Sequence, residues 1–287
     1  MNKLQRKAYA KINLALDVLG TLPNGYHEVR MIMQTVGIWD ELTFEKAESG
    51  IVITTDSGEL PTDGNNLIYK AVKLMQEEFS NFGGVKIHLQ KNIPIAAGMA
   101  GGSTDAAAAM IGFNELYGLG VSRERLMELG VRIGADVPYC VMGGTALAEG
   151  IGEKLTRLPD APSCTLVVVK PDLNVSTKEV YTRLDAKTDV EHPDIDGMIS
   201  AIKENDLEGV ARRLGNVLEL VTMQLCPVIG DIRRCMEQYG ALGSLMSGSG
   251  PTVFGIFDDI SRAQAAEEAI KKSLEMMVKQ SFVTSFV

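Results

Sequence analysis

Cysteine and histidine are sparse in this chain. Its 287 residues include four cysteines (Cys140, Cys164, Cys226, Cys235) and three histidines (His27, His88, His192). No two cysteines stand in Cys-x-x-Cys spacing and the histidines are scattered. That pattern excludes a spacing-defined zinc site and offers no disulfide framework. Positive charge is also short, with a net charge of −9. A nucleic acid held by many phosphate contacts is therefore not expected, and an anionic nucleotide would need a local positive site. No stretch reaches the roughly 18 apolar residues of a membrane span. The N-terminal residues lack the apolar core of a signal peptide. Tandem repeats and low-complexity tracts are absent. These absences point to the cytoplasm and to no membrane partner. What is present is ordinary for a globular protein: 45% hydrophobic and 23% charged residues, enough for one large or two modest domains.

The most informative stretch is Pro94 to Met110. It holds three glycines within five residues (Gly98, Gly101, Gly102), then Ser103, Thr104 and Asp105, then four alanines. Glycine permits positive φ and close approach of a ligand to the main chain. Ser, Thr and Asp begin helices, and Ala is the best helix former. A bare loop running into a helix start presents unpaired N–H groups and the positive end of the helix dipole, which suits a phosphate. The plain alternative is an ordinary loop before a buried, Ala-rich helix. No Lys follows the glycines, so this is not a Walker loop, and Gly-x-Gly-x-x-Gly does not fit either.

Alternation over residues 7–19 predicts a strand with Lys11 and Asn13 on one face and Ile12 and Leu14 on the other. The polar pair reads equally as an exposed edge or as part of a site. Pro23-Asn24-Gly25 predicts a hairpin turn; Tyr26 and His27 follow, either as a packed ring and a solvated imidazole or as contacts to a planar ligand. Strands are expected at 29–38, 41–47, 50–55 and 85–90, the last with His88 on its polar side. Asn65-Asn66 should cap an amphipathic helix. The helix after the glycine loop should end at Gly118, and another should start at Ser122. Pro138 should force Val137 toward an extended shape, leaving Asp136 on irregular backbone, as a cap, a turn residue or something more. A strand is expected at 145–149. Two prolines at 158–163 mark a domain edge, giving an N-terminal domain at 1–160 and a C-terminal domain at 161–287. In the latter, a strand is expected from Cys164 to Val169 and a capped helix from Ser176 to Leu184, with Thr177 and Tyr181 one turn apart on one face. Helices at 195–204, 206–214, 226–239 and 261–276, and strands at 242–247, 252–257 and 280–286, complete the reading. Ser247-Gly248-Ser249-Gly250-Pro251 is either a plain hairpin loop or a second close approach to a ligand. Mixed strands and helices with hairpins predict an α+β chain in two halves.

Taken together these pieces resemble the GHMP kinases, small-molecule kinases named for galactokinase, homoserine, mevalonate and phosphomevalonate kinases. The three motifs that carry the resemblance lie at 10–16, 94–105 and 247–255. A closer resemblance is to one branch, kinases acting on a cytidylyl-methylerythritol alcohol in non-mevalonate isoprenoid synthesis. It rests on Ala10-Lys11-Ile12-Asn13-Leu14, Asn24-Gly25-Tyr26-His27-Glu28, Gly134-Ala135-Asp136-Val137-Pro138 and Gly248-Ser249-Gly250-Pro251-Thr252.

The resemblance implies a two-domain GHMP-kinase-like fold with the active site in the cleft between the halves. It implies that ATP and Mg²⁺ are used, with the nucleotide bound by Pro94, Ile95, Ala96, Ala97, Gly98, Met99, Ala100, Gly101, Gly102, Ser103 and Thr104, and with Asn65 and Asn66 near the adenine. Ser103 is a candidate metal contact. Asp136 matches the catalytic base and Lys11 the lysine beside it. Asn13, Tyr26, His27, Thr177 and Tyr181 match substrate contacts, Tyr26 and His27 around the cytosine. The partner is thus a small molecule, and the protein a monomer or homodimer. Two departures stand out. Met99-Ala100 replaces the usual Leu-Gly, so Ala100 should not use strongly positive φ; and Tyr181 stands where relatives often carry Phe. The rivals are another enzyme of the same family and a nucleotide-binding module without catalysis.

Overall fold

The structure, a computed structural model, describes residues 2–23, 25–79 and 83–287. Asn24 of the expected hairpin turn lies outside them. Contacts divide the chain into two compact units, each described by itself. Unit 1 comprises Met1–Ala10, Ile38–Ile93 and Ala100–Gly143; unit 2 comprises Lys11–Gly37, Pro94–Met99 and Gly144–Val287.

Two long strands, β1 (Lys3–Thr21) and β2 (His27–Ala47), contribute residues to both units. In unit 1 the later part of β2 pairs antiparallel with β4 (Gly84–Gln90), Leu42 opposite Leu89 and Phe44 opposite Ile87. β3 (Ile51–Thr55) lies parallel on the other side of β4. Among the described residues, four helices complete the unit: α1 (Leu67–Glu78), α2 (Gly101–Tyr117), α3 (Arg123–Gly130) and α4 (Val137–Met142). Asn66 caps α1 through its side chain, Ser122 caps α3, and Gly118 ends α2 in left-handed conformation, as their residue types predict. Ala106, Ala107, Ala108 and Ala109 are all buried, joining Phe44, Ile87, Leu89, Ile68 and Val72 in one core. The alanines serve close packing as well as helix propensity, because a bulkier face would hold the helix off the sheet.

In unit 2 the early part of β2 pairs antiparallel with β5 (Thr145–Gly150), and β5 with β6 (Lys154–Arg157). A second, four-stranded antiparallel sheet has the order β11-β7-β10-β9. Its strands are β7 (Thr165–Pro171), β9 (Gly243–Met246), β10 (Val253–Phe257) and β11 (Val278–Ser285). β8 (Gly215–Asn216) pairs parallel with β1. The helices are α5 (Thr177–Leu184), α6 (Ile195–Lys203), α7 (Leu207–Arg212), α8 (Glu219–Leu225), α9 (Val228–Gln238) and α10 (Ile260–Ser273). Ser176, Asp194, Asp206 and Asp259 cap α5, α6, α7 and α10.

Three expectations are corrected. The separate strands at 29–38 and 41–47 are one strand, β2. It runs through Trp39 and Asp40 without a break, and a Cβ at Gly37 would sit 2.7 Å from the Thr284 Oγ1, so that glycine serves a close approach. Helix α8 was not expected, and its first residues carry no side-chain cap. Pro138 does not extend the chain: Val137 opens α4 and the proline lies in its first turn. The missing proline N–H would have been unpaired there anyway.

Gly112 of α2 tests this packing. A Cβ there would lie 2.4 Å from the buried Phe44 ring. Gly112→Ala is expected to destabilise the protein by about 1–3 kcal/mol through overpacking, read as a lowered urea midpoint at unchanged slope.

Candidate active site

Strand β1 brings Lys11 and Asn13 to the same face, two residues apart. Lys11 is 5% exposed and Asn13 fully buried, which removes the exposed-edge alternative. The Lys11 Nζ donates to the Asn13 Oδ1 at 2.8 Å and to the Gly98 carbonyl at 3.3 Å. The Lys11 amide also donates to the Met99 carbonyl at 3.2 Å. Asn13 Nδ2 in turn donates to the Met31 sulfur at 3.2 Å.

The same Gly98 carbonyl accepts from the Ser247 Oγ at 3.0 Å. Gly98 has φ +72, and a Cβ on it would meet the Ser247 carbonyl at 2.3 Å. The first favours glycine for backbone sterics and the second requires it for space. Gly248 has φ +58, and its Cβ would lie 3.0 Å from the Gly98 carbonyl. Asn216 holds the turn from behind, its Nδ2 donating to the Met246 and Gly248 carbonyls at 2.9 and 2.8 Å. Buried Glu219 accepts from the Met246 amide at 3.0 Å and from the Arg233 Nη1 at 2.6 Å. Burial pushes its carboxyl upward against the pull of Arg233. Within unit 2, then, the strand motif, the glycine loop and the glycine turn converge on one carbonyl. Ser247 and Asn216 were not among the expected side chains. The Ser-Gly-Ser-Gly turn was a signal for the first; nothing local marks the second.

A second group in unit 2 joins the residues expected at the substrate. The His27 ring lies 4.5 Å from the Tyr181 ring, tilted by 37°. Its Nε2 is 2.8 Å from the Asp185 Oδ1, which fixes the imidazole's orientation. Tyr26 is 58% exposed. Thr177 Oγ1 lies 2.8 Å from the Ser249 Oγ of the glycine turn.

Of the remaining expected residues, Pro94, Ile95, Ala96, Ala97 and Met99 belong to unit 2, and Asn65, Asn66, Ala100, Gly101, Gly102, Ser103, Thr104 and Asp136 to unit 1. Helix α2 begins at Gly101 with no side-chain cap, so its first N–H groups are left for another acceptor. Ala100, the N-cap, has φ 57 and ψ 29. This overturns the expectation that alanine there avoids positive φ. The chain reverses from loop into helix at that residue, and the reversal needs a left-handed conformation whatever the side chain. Ala96, in unit 2, has φ 52. Thr104 is buried and donates its hydroxyl to the Tyr9 carbonyl at 2.8 Å, while Ser103 is half-buried. Asn66 accepts from the Ile68 amide and donates to the Pro61 carbonyl; Asn65 donates to Asp63. Asp136 is half-buried at the N-cap of α4, and its carboxylate does not cap that helix.

Unit 1 also contains a charge cluster that sequence reasoning missed. Lys91 Nζ donates to Asp40 and, at 3.0 Å, to Asp105. Asp40 Oδ1 accepts from the amides of Asn92 and Ile93 at 2.6 and 2.8 Å. Both carboxylates are buried, and the Asp105 Oδ1 has no hydrogen-bond partner. Burial raises the Asp105 carboxyl well above the usual range; Lys91 opposes this and Asp40 adds to it. The cluster ties the segment entering the glycine loop to the first turns of α2. Its one local signal was an Asp at the head of an alanine run.

Residues 66–144 match the GHMP kinases N terminal domain and residues 198–275 the GHMP kinases C terminal. The chain belongs to the GHMP kinase family, whose α+β fold it has. Within that family it is 56% identical over 277 residues to the 4-diphosphocytidyl-2-C-methyl-D-erythritol kinase of Lachnospira eligens, covering 96% of each chain. It is 49% identical to the enzyme of the same name from Caldicellulosiruptor bescii, again over 96% of each. The crystal structure of a 4-(cytidine 5'-diphospho)-2C-methyl-D-erythritol kinase superposes with a TM-score of 0.83 at 32% identity, covering 99% of each chain.

Three outcomes test this geometry. Ala100→Gly removes the steric cost of left-handed alanine and should stabilise the protein by about 1 kcal/mol, measured by urea unfolding. Asp105 has its carboxyl raised in the fold, so the native state binds its proton more tightly than the unfolded chain. Its contribution is fully present below the unfolded pKa and is lost as pH rises through the folded one. Asp105→Asn should therefore gain stability relative to the parent as pH rises, in melts recorded across that range. Asp40→Asn sets a donor against Lys91 and should cost about 3–5 kcal/mol.

Proposed function

We propose that this chain transfers the γ-phosphoryl group of ATP to the 2-hydroxyl of 4-diphosphocytidyl-2-C-methyl-D-erythritol, in the cytoplasm, on the non-mevalonate route to isoprenoid precursors. The names and near-full coverage of the relatives support the substrate. The observation that carries the reading is the buried Lys11 ammonium on the Gly98 carbonyl. It sets a fixed positive charge beside a loop whose glycines keep the main chain open.

Phosphoryl transfer needs alignment and charge neutralisation more than covalent chemistry. Loop and helix amides from Gly98 to Ser103, with the α2 dipole, take the triphosphate charge, the Thr104 amide being bonded to the Ala100 carbonyl. Asp136 accepts the proton leaving the alcohol. Lys11 supplies positive charge that offsets negative charge as it builds. His27, Tyr26 and Tyr181 hold the cytosine by stacking and hydrogen bonding, and Thr177 and Asn13 contact the rest of the substrate. The oxygen donors here suit a hard cation. Magnesium would share the phosphate charge when bound, with the Ser103 hydroxyl as the protein ligand on offer.

Asp136→Asn should lower turnover by about a thousandfold while an ATP analogue binds as before, measured by ADP release and by titration; near-normal turnover would remove Asp136 from the role of base. Tyr181→Ala or His27→Ala should raise the KM for the cytidylyl substrate about tenfold, the worth of one stacking contact, with the KM for ATP unchanged. Equal losses for both substrates would place these rings elsewhere.

A further inference from the structure

Lys170 lies in β7, behind the consecutive residues Val167, Val168 and Val169, all fully buried, and is itself only 1% exposed. The strand is buried on both faces from Leu166 to Pro171, a setting that ordinarily takes aliphatic residues. Burying an ammonium costs several kcal/mol unless its protons are matched. Here oxygens from three of the next four residues match them. The Nζ donates to the Pro171 carbonyl at 2.8 Å, to the Leu173 carbonyl at 2.5 Å and to the Asn174 Oδ1 at 3.4 Å. The segment 171–174 is thus folded round the charge. Carbonyl oxygens converging on one centre are also how proteins bind a bare monovalent cation.

That segment leads directly into α5. Ser176 caps the helix. Thr177 reaches Ser249 of the glycine turn, Tyr181 faces His27, and Asp185 fixes that imidazole. The far side of the segment is tied to the chain before β11, where the Asp172 amide donates to the Met277 carbonyl at 2.8 Å. The Lys170 charge also reaches Cys226 at the end of α8, drawing down a thiol that burial pushes up.

We infer that the Lys170 ammonium is a tethered monovalent cation that organises the β7–α5 segment and thereby sets the stance of Thr177 and Tyr181 toward the alcohol substrate. It is a positioning residue, and its effect on substrate rests on the proposed function. Its cation character does not. Deleting the side chain leaves a cation-sized space lined by the same oxygens, which potassium or ammonium can enter.

The test compares the full-length protein with Lys170→Ala and Lys170→Met in sodium, potassium and ammonium chloride at equal ionic strength. Lys170→Ala is expected to melt lower than the parent in sodium and to recover in potassium or ammonium, the parent showing no such response. Its KM for the cytidylyl alcohol should rise about tenfold or more, as for misplaced binding groups, with the KM for ATP unchanged, and should fall again with the same cations. Lys170→Met fills the space without donors and should show the raised KM with no cation response. If Lys170→Ala does not fold in sodium, refolding yield in potassium against sodium is the readout. A Lys170→Ala protein indifferent to both cations overturns the inference. So does a parent-like alcohol KM in Lys170→Met, or equal changes in both KM values. A parent protein inert toward the cytidylyl alcohol would overturn the proposed function instead, and the cation-dependent melting point would still decide this inference.

Discussion

One backbone oxygen organises the site in unit 2. The Gly98 carbonyl accepts from the Lys11 ammonium and the Ser247 hydroxyl, residues far apart in the chain. Three segments can share that oxygen only if each approaches closely, so bare backbone is required at Gly98 and Gly248. A carbonyl with two lone pairs can accept both donors, and burial makes each bond more costly to lose. Asn216 and Glu219 then hold the turn carrying Ser247 by its own main-chain groups.

Buried ammonium groups recur as fasteners for irregular backbone. Lys11 holds the glycine loop, Lys91 links the entry of that loop to α2 through two carboxylates, and Lys170 gathers the oxygens before α5. Segments without a ladder of hydrogen bonds leave carbonyls pointing in divergent directions. An ammonium with three donors on a long stem can satisfy several of them at once. The cost of desolvating the charge makes such a fastener sensitive to the loss of any partner. The unpartnered Asp105 Oδ1 is where this arrangement is least satisfied.

Much of the fold was legible because the signals were local. Asn66, Ser122 and Ser176 were read as caps from residue type and position, and each accepts a backbone N–H in the structure. Gly118 ends α2 as expected. Where the local signal was silent or misleading, the structure departs from the reading. Helix α8 lacks a side-chain cap and includes buried Glu219, whose partners are Arg233 and the Met246 amide. Pro138 carries a bias against helix in the residue before it, and the first turn of α4 overrides that bias. Ala100 adopts a conformation that alanine disfavours, because the loop-to-helix reversal has to be made there.

The amino-acid sequence by itself determined most element types, the capped helix ends, the glycine loop and the family, since propensity, capping and spacing act over a few residues. Only the tertiary structure decided that Lys11, Gly98 and Ser247 share an oxygen, that Lys91 bridges Asp40 and Asp105, and that the Lys170 charge is buried among carbonyls. These arrangements join residues distant in the chain or depend on burial. Burial is a property of the packed molecule, and no window of sequence contains it.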